Sequence, residues 1–169
     1  MTTKSESVER IIKNYFEPHC PNLIPALRAA AEAFDRIRSQ GHVEPGDLDP
    51  LTEALCSDRE PLSDNAVEMF WTLTANYEEA RDVVEALSRD RKLVRRFNAV
   101  SCLSHETPKD SCATILRAAF TDKGATVRAN AAGKAMRLNM HEVLPEFEAA
   151  FATETNDRTK SEMDLCLPL

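Results

Sequence analysis

A short pattern, apolar-x-x-Ala-apolar, returns four times along the chain. It reads Leu51, Ala54, Leu55; then Val83, Ala86, Leu87; then Leu116, Ala119, Phe120; then Phe147, Ala150, Phe151, at spacings of 32, 33 and 31 residues. Positions i, i+3 and i+4 share one side of an α-helix, so each copy predicts one buried helical stripe. A unit of this length cannot bury its apolar face alone, and repetition lets neighbouring units cover one another. The period therefore restricts the chain to stacked helical units.

The rest of each unit agrees. Helix-start signals precede the later stripes: Asn76 with Glu79, Thr107 with Pro108 and Asp110, and Asn139 with Glu142. Side-chain oxygens at such positions satisfy orphan helix amides, and the following acid suits the positive end of the helix dipole. Aspartates Asp58, Asp90 and Asp122 follow the first three stripes and are placed to end one helix or cap the next. A second helix then opens with small residues, as in Asn65-Ala66-Val67, Val94-Arg95-Arg96-Phe97-Asn98-Ala99 and Val127-Arg128-Ala129-Asn130-Ala131-Ala132. Sustained apolar/polar alternation is absent, glycine occurs four times, and good helix formers dominate, so the predicted class is all-α.

The unit of helix A, turn with Asp, helix B resembles a HEAT-like repeat protein of the short variety with Asp followed by Val-Arg-x-x-Ala-Ala. The resemblance covers about residues 48–153 and implies an α-solenoid of antiparallel helix pairs, with B helices lining the concave face. Capping helices are expected over 1–40, with helical stretches near 5–16 and 22–40, and a C-terminal helix near 156–166 within a cap of 154–169. Gly41-His42-Val43-Glu44-Pro45-Gly46-Asp47 reads as a loop, the segment expected to be most mobile.

With 169 residues the expectation is a single domain. No apolar run approaches the roughly 18 residues that span a bilayer, and the opening residues lack a signal-peptide core, so a cytoplasmic protein without membrane contact is expected. Cys20, Cys56, Cys102, Cys112 and Cys166 form no CxxC pair or metal-ligand spacing, and an odd count fits a reduced compartment.

Charge is unevenly spread. The net −7 divides into −9 over residues 1–88, +7 over 89–138 and −5 over 139–169. The basic block holds Arg91, Lys92, Arg95, Arg96, Arg128, Lys134 and Arg137, most of them on or near two B helices, and these are the candidate partner-binding residues. Arg95 and Arg128 have a competing structural role, pairing with Asp90, Asp122 or acids of adjoining repeats. Trp71, the single tryptophan, lies in Met69-Phe70-Trp71 beside an already sufficient core face. It reads either as an interface anchor or as packed against the N-terminal helices. The terminal Met163, Leu165 and Leu167 would, if exposed, favour permanent assembly or self-association.

Two His-Glu dyads, His105-Glu106 and His141-Glu142, invite comparison with the deoxyhypusine hydroxylase family, whose HEAT-like fold holds a di-iron centre on four such pairs. Here there are two, out of phase with the repeat, and Glu142 already has a capping role. No nucleophile motif or phosphate-binding glycine loop is present, so no catalytic, metal or cofactor residue is assigned. The expected function is a non-catalytic protein-interaction module, an adaptor or an inhibitor of the immunity type, binding its partner on the concave B-helix face. The alternative is a nucleic-acid-binding protein resembling the HEAT-like alkylpurine DNA glycosylases, using the basic block 89–138.

Overall fold

The computed structural model describes residues 4–166, and among them all regular structure is helical. Two compact units divide the chain between Phe70 and Trp71.

In the first unit, α1 (Lys4–Ile11) runs through a π-helical turn, Ile12–Phe16, into the short α2 (Glu17–His19). Val8, Ile12 and Phe16 recur every fourth residue and are all buried, and α1 packs on α3 (Ile24–Gln40). The carboxylate of Asp35 on α3 accepts the Lys4 and Ser5 amides at 2.9 and 2.8 Å, which satisfies the start of α1 from outside its own helix. Helix α3 ends at Gly41, whose φ of 77° is the left-handed conformation that glycine adopts without strain. The loop after it is fastened at Asp47, a buried carboxylate that accepts from the Glu44 amide, Gln40 and Arg36. Helix α4 (Asp49–Leu55) packs on α3 and buries the first stripe, Leu51, Ala54 and Leu55. Helix α5 (Glu60–Asn76) carries the chain out of this unit.

The second unit contains α6 (Glu78–Ser88), α7 (Leu93–Ser101), α8 (Lys109–Phe120), α9 (Ala125–Leu138), α10 (Leu144–Thr153) and α11 (Asp157–Asp164). Helix α8 packs on both α6 and α10, and α9 on both α7 and α11. The sequential pairs α6 with α7, α8 with α9, and α10 with α11 also touch, so two rows of helices share one core. Its largest buried members include Phe120 and Phe147, edge to face at 5.8 Å.

The buried faces of α6 and α8 correspond at a spacing of 32 residues: Ala80, Val84, Leu87 and Ser88 against Cys112, Leu116, Ala119 and Phe120. The second predicted stripe is thus one residue out of phase; Val84 is buried in place of Val83, and Ala86 faces solvent. The predicted helix starts also differ from the observed ones. Asn76 is the last residue of α5, its amide donating to the Thr72 carbonyl at 2.7 Å. Thr107 is buried, and its hydroxyl bonds that of Thr74 at 2.9 Å. Asn139 closes α9 with φ 55°, a conformation that asparagine tolerates better than most residues. A side-chain cap does occur at Asn156, which accepts the Thr159 amide at 2.9 Å and starts α11. In α11 Met163 is buried and so does not meet the condition for an assembly contact; Leu165 is 79% exposed, and Leu167 lies outside the described residues.

Among the described residues no helix is long and apolar enough to cross a membrane. Cys102, Cys112 and Cys166 are buried, and Cys20 and Cys56 are half-buried.

Candidate interaction surface

The turns that lead into α7, α9 and α11 each carry one carboxylate, 32 residues apart: Asp90, Asp122 and Glu154. Each accepts an amide two residues on, from Lys92, Gly124 and Asn156 at 2.8, 2.6 and 2.8 Å. An arginine of the preceding unit then reaches each of the last two. Arg96 meets Asp122 with Nε and Nη2 at 2.6 and 3.0 Å, while its Nη1 donates to the Asp90 and Arg91 carbonyls. Arg128 repeats the arrangement on Glu154 at 2.6 and 2.7 Å, with Nη1 on the Asp122 carbonyl. Planar guanidinium and planar carboxylate match in such two-bond pairs, so each turn is tied to the next.

The electrostatics follow the geometry. The Arg128 hydrogen bonds bring the Glu154 carboxyl down to about 2, against the effect of burial. Burial pushes Asp122 upward, but the bonds from Arg96 and the Gly124 amide outweigh it and hold this carboxyl below its ordinary value. Asp90 is likewise lowered, first by the Lys92 amide and then by Arg95, which meets it at 2.9 Å. Arg96, 5% exposed, is the counterpart of Arg128. Arg95 is half-buried and makes its ion pair within its own turn.

Lys134 is also turned inward. Its Nζ donates to the Ser101 and Leu103 carbonyls at 3.0 and 2.9 Å, closing the C-terminal end of α7, where carbonyls lack helical partners. Burial and the neighbouring Arg137 lower its pKa. Burial raises the nearby Cys112 thiol to about 11, a shift that Lys134 partly offsets. The same Ser101 carbonyl accepts the Trp71 indole N–H at 2.8 Å, and Lys134 Nζ lies 5.8 Å from the centre of the indole ring. This fixes Trp71 while leaving it 42% exposed; Met69, by contrast, is fully buried.

On its solvent face α7 presents Leu93 and Phe97, both partly exposed. Asn130 of α9 donates to the Phe97 carbonyl and the Ser101 hydroxyl, which joins this face to the next helix. A groove of about 530 Å³ lies over α7, α9 and α11. Its floor includes Ala129 and Gly133, and its walls include Phe97, Arg137, Arg158 and Glu162. Arg91, Lys92 and Arg137 are exposed and make no ion pair among the described residues. Phe97, Leu93 and Glu154 were not singled out from sequence. A strict period of 32 from Asp122 would have found Glu154, and the i, i+4 spacing of Leu93 and Phe97 on the face opposite the core marks a second apolar edge.

The histidines stand elsewhere. His105, Glu106 and His141 are exposed, and Glu142 pairs with Lys109 at 2.9 Å. Among the described residues no group of three or more His, Cys, Asp or Glu side chains gathers in a way that could hold a metal ion. A second depression, of about 500 Å³, lies over α8, α9 and α10 and is lined by Phe120, Asp122, Glu146 and Glu154. Its acids are already bonded to Arg96, Arg117 and Arg128. No family model, curated protein or solved structure matches the chain.

Proposed function

We propose that the chain is a HEAT-like α-solenoid that acts by binding a protein partner, without catalysis, through the solvent face of α7, α9 and α11. The repeated helix contacts and the 32-residue ladder of carboxylates and arginines support the repeat reading. The observation that carries the binding reading is the Trp71–Phe97 face. Trp71, held to the Ser101 carbonyl at the end of α7, and Phe97, one turn earlier on that helix and lining the groove, both stand partly in solvent, an arrangement suited to interface anchors. An adaptor and an inhibitor would both use such a face.

Nucleic-acid binding is the second reading, favoured by the exposed cations Arg91, Lys92, Lys123 and Arg137. Against it, Arg96, Arg128 and Lys134 direct their donors to groups of the chain itself, so these three are not presented to phosphates. Affinity capture with the wild-type chain and a Trp71→Ala/Phe97→Ser variant tests the first reading: a protein held by the former and released by the latter is expected. Capture insensitive to the substitutions would overturn it. Anisotropy of labelled duplex DNA and single-stranded RNA from about 50 to 200 mM salt tests the second, since phosphate contacts give a steep salt dependence.

A further inference from the structure

We infer that the groove over α7, α9 and α11 takes a short acidic peptide segment that carries one large apolar side chain. The inference rests on the protein-binding reading above and adds the chemistry of the partner. The floor supplies the first half of the argument. At Gly133 an added Cβ would meet only Arg137 Nη2, at 3.8 Å, and Ala129 presents a single methyl group, so the depression beside Phe97 is left open for a side chain of the partner. An apolar group placed there covers the exposed part of Phe97 and leaves Trp71, at the C-terminal end of α7, available as a second contact.

The charges supply the second half. Arg91 and Lys92 stand in the turn before α7, Lys123 in the turn before α9, and Arg137 in the last turn of α9. Of these, Arg137 lines the groove at one end and Lys123 stands two residues before Ala125, which lines the other, with Ala129, Asn130 and Gly133 of α9 between them. The rise of α9 from its first turn to Arg137 is about 18 Å, a distance that five or six extended residues cover. A segment of that length with acids at its ends and an apolar residue near its middle meets all three zones. A nucleic-acid backbone fits less well, because its phosphates recur at every step whereas this groove has Glu162 in its lining and its other cation, Arg158, is paired with that acid. Arg158 and Glu162 form an exposed i, i+4 pair, the kind that costs little to rearrange.

A random dodecapeptide display library selected on the immobilised full chain tests this, with the enriched peptides then synthesised with a fluorescein label and titrated by anisotropy at about 50 and 200 mM salt. Variants Arg137→Glu and Gly133→Leu report on the two halves separately, and their helical circular dichroism verifies folding. The expected result is enrichment of net-acidic sequences around one Leu, Ile or Phe, with affinity reduced about tenfold or more in each variant. Enriched sequences that are neutral or basic, or acidic ones indifferent to both variants, would overturn the acidic-segment inference; loss of their binding in Trp71→Ala would still leave the docking reading standing. No enrichment, or binding of an oligo-dT probe in place of any peptide, would overturn both.

Discussion

Arg96 spans two turns of the second unit: it donates to the Asp90 carbonyl at 2.9 Å and holds the Asp122 carboxylate, 26 residues on, through two bonds. Both side chains are almost wholly buried, at 6% and 7% exposure, so the pair is screened from water and from salt. Removing one partner leaves a desolvated charge without compensation, and Arg96→Ala is expected to cost about 3 kcal/mol or more. Arg95→Ala, which opens a half-exposed pair within one turn, is expected to cost about 1 kcal/mol or less. Urea midpoints of the two variants check the contrast, and equal losses would contradict it.

Glu154 gives the ladder a pH dependence. Its folded carboxyl titrates at about 2, below the ordinary glutamate range, because Arg128 and backbone amides bond the charged form. The unfolded chain therefore binds this proton more readily than the folded one. The resulting stability is fully present above about pH 4.5 and is lost as pH falls toward 2. Asp122 and Asp90, both lowered, act in the same direction. Thermal melts from pH 7 to pH 2 should show this acid limb, and Glu154→Gln should lower stability at pH 7 while making the limb shallower.

The helical class and the approximate period are legible in the sequence because apolar spacing and helix propensity act locally. The exact register is not. With Val94-Arg95 aligned to Val127-Arg128, Arg95 falls on Arg128, yet the turn geometry makes Arg96 the counterpart, and only the carboxylates 32 residues apart reveal it. Asn76 and Asn139 carry good capping side chains, but whether an asparagine opens or closes a helix depends on where the neighbouring helix needs the chain to bend. Lys134 illustrates the same limit. Its position on α9 says nothing of the open end of α7, whose carbonyls draw it inward and remove it from the charged surface.

Lys134→Met tests that role. Methionine retains the apolar stem but leaves the Leu103 carbonyl without this donor, while Ser101 keeps the Trp71 N–H. A loss of about 1–3 kcal/mol is expected from the unmet carbonyl, together with a change in Trp71 emission, because the ammonium near the ring is gone. An unchanged urea midpoint would show that the bonds to α7 carry no net stability.

The cysteines offer a last check on the packing, since thiolate fraction and access both govern their chemistry. Cys112 lies within the second unit beside Lys134, and burial holds its thiol near a pKa of about 11, so at pH 7.5 it is almost wholly protonated. Cys102 is fully buried and Cys166 nearly so, whereas Cys20 and Cys56 keep partial access. Alkylation of the native protein with a small maleimide, read by peptide mass mapping, should therefore modify Cys20 and Cys56 first. Cys102, Cys112 and Cys166 should follow only as the chain opens, at a rate that rises in Arg96→Ala. Prompt modification of Cys112 in the native wild type would contradict the packing of α8 against α9.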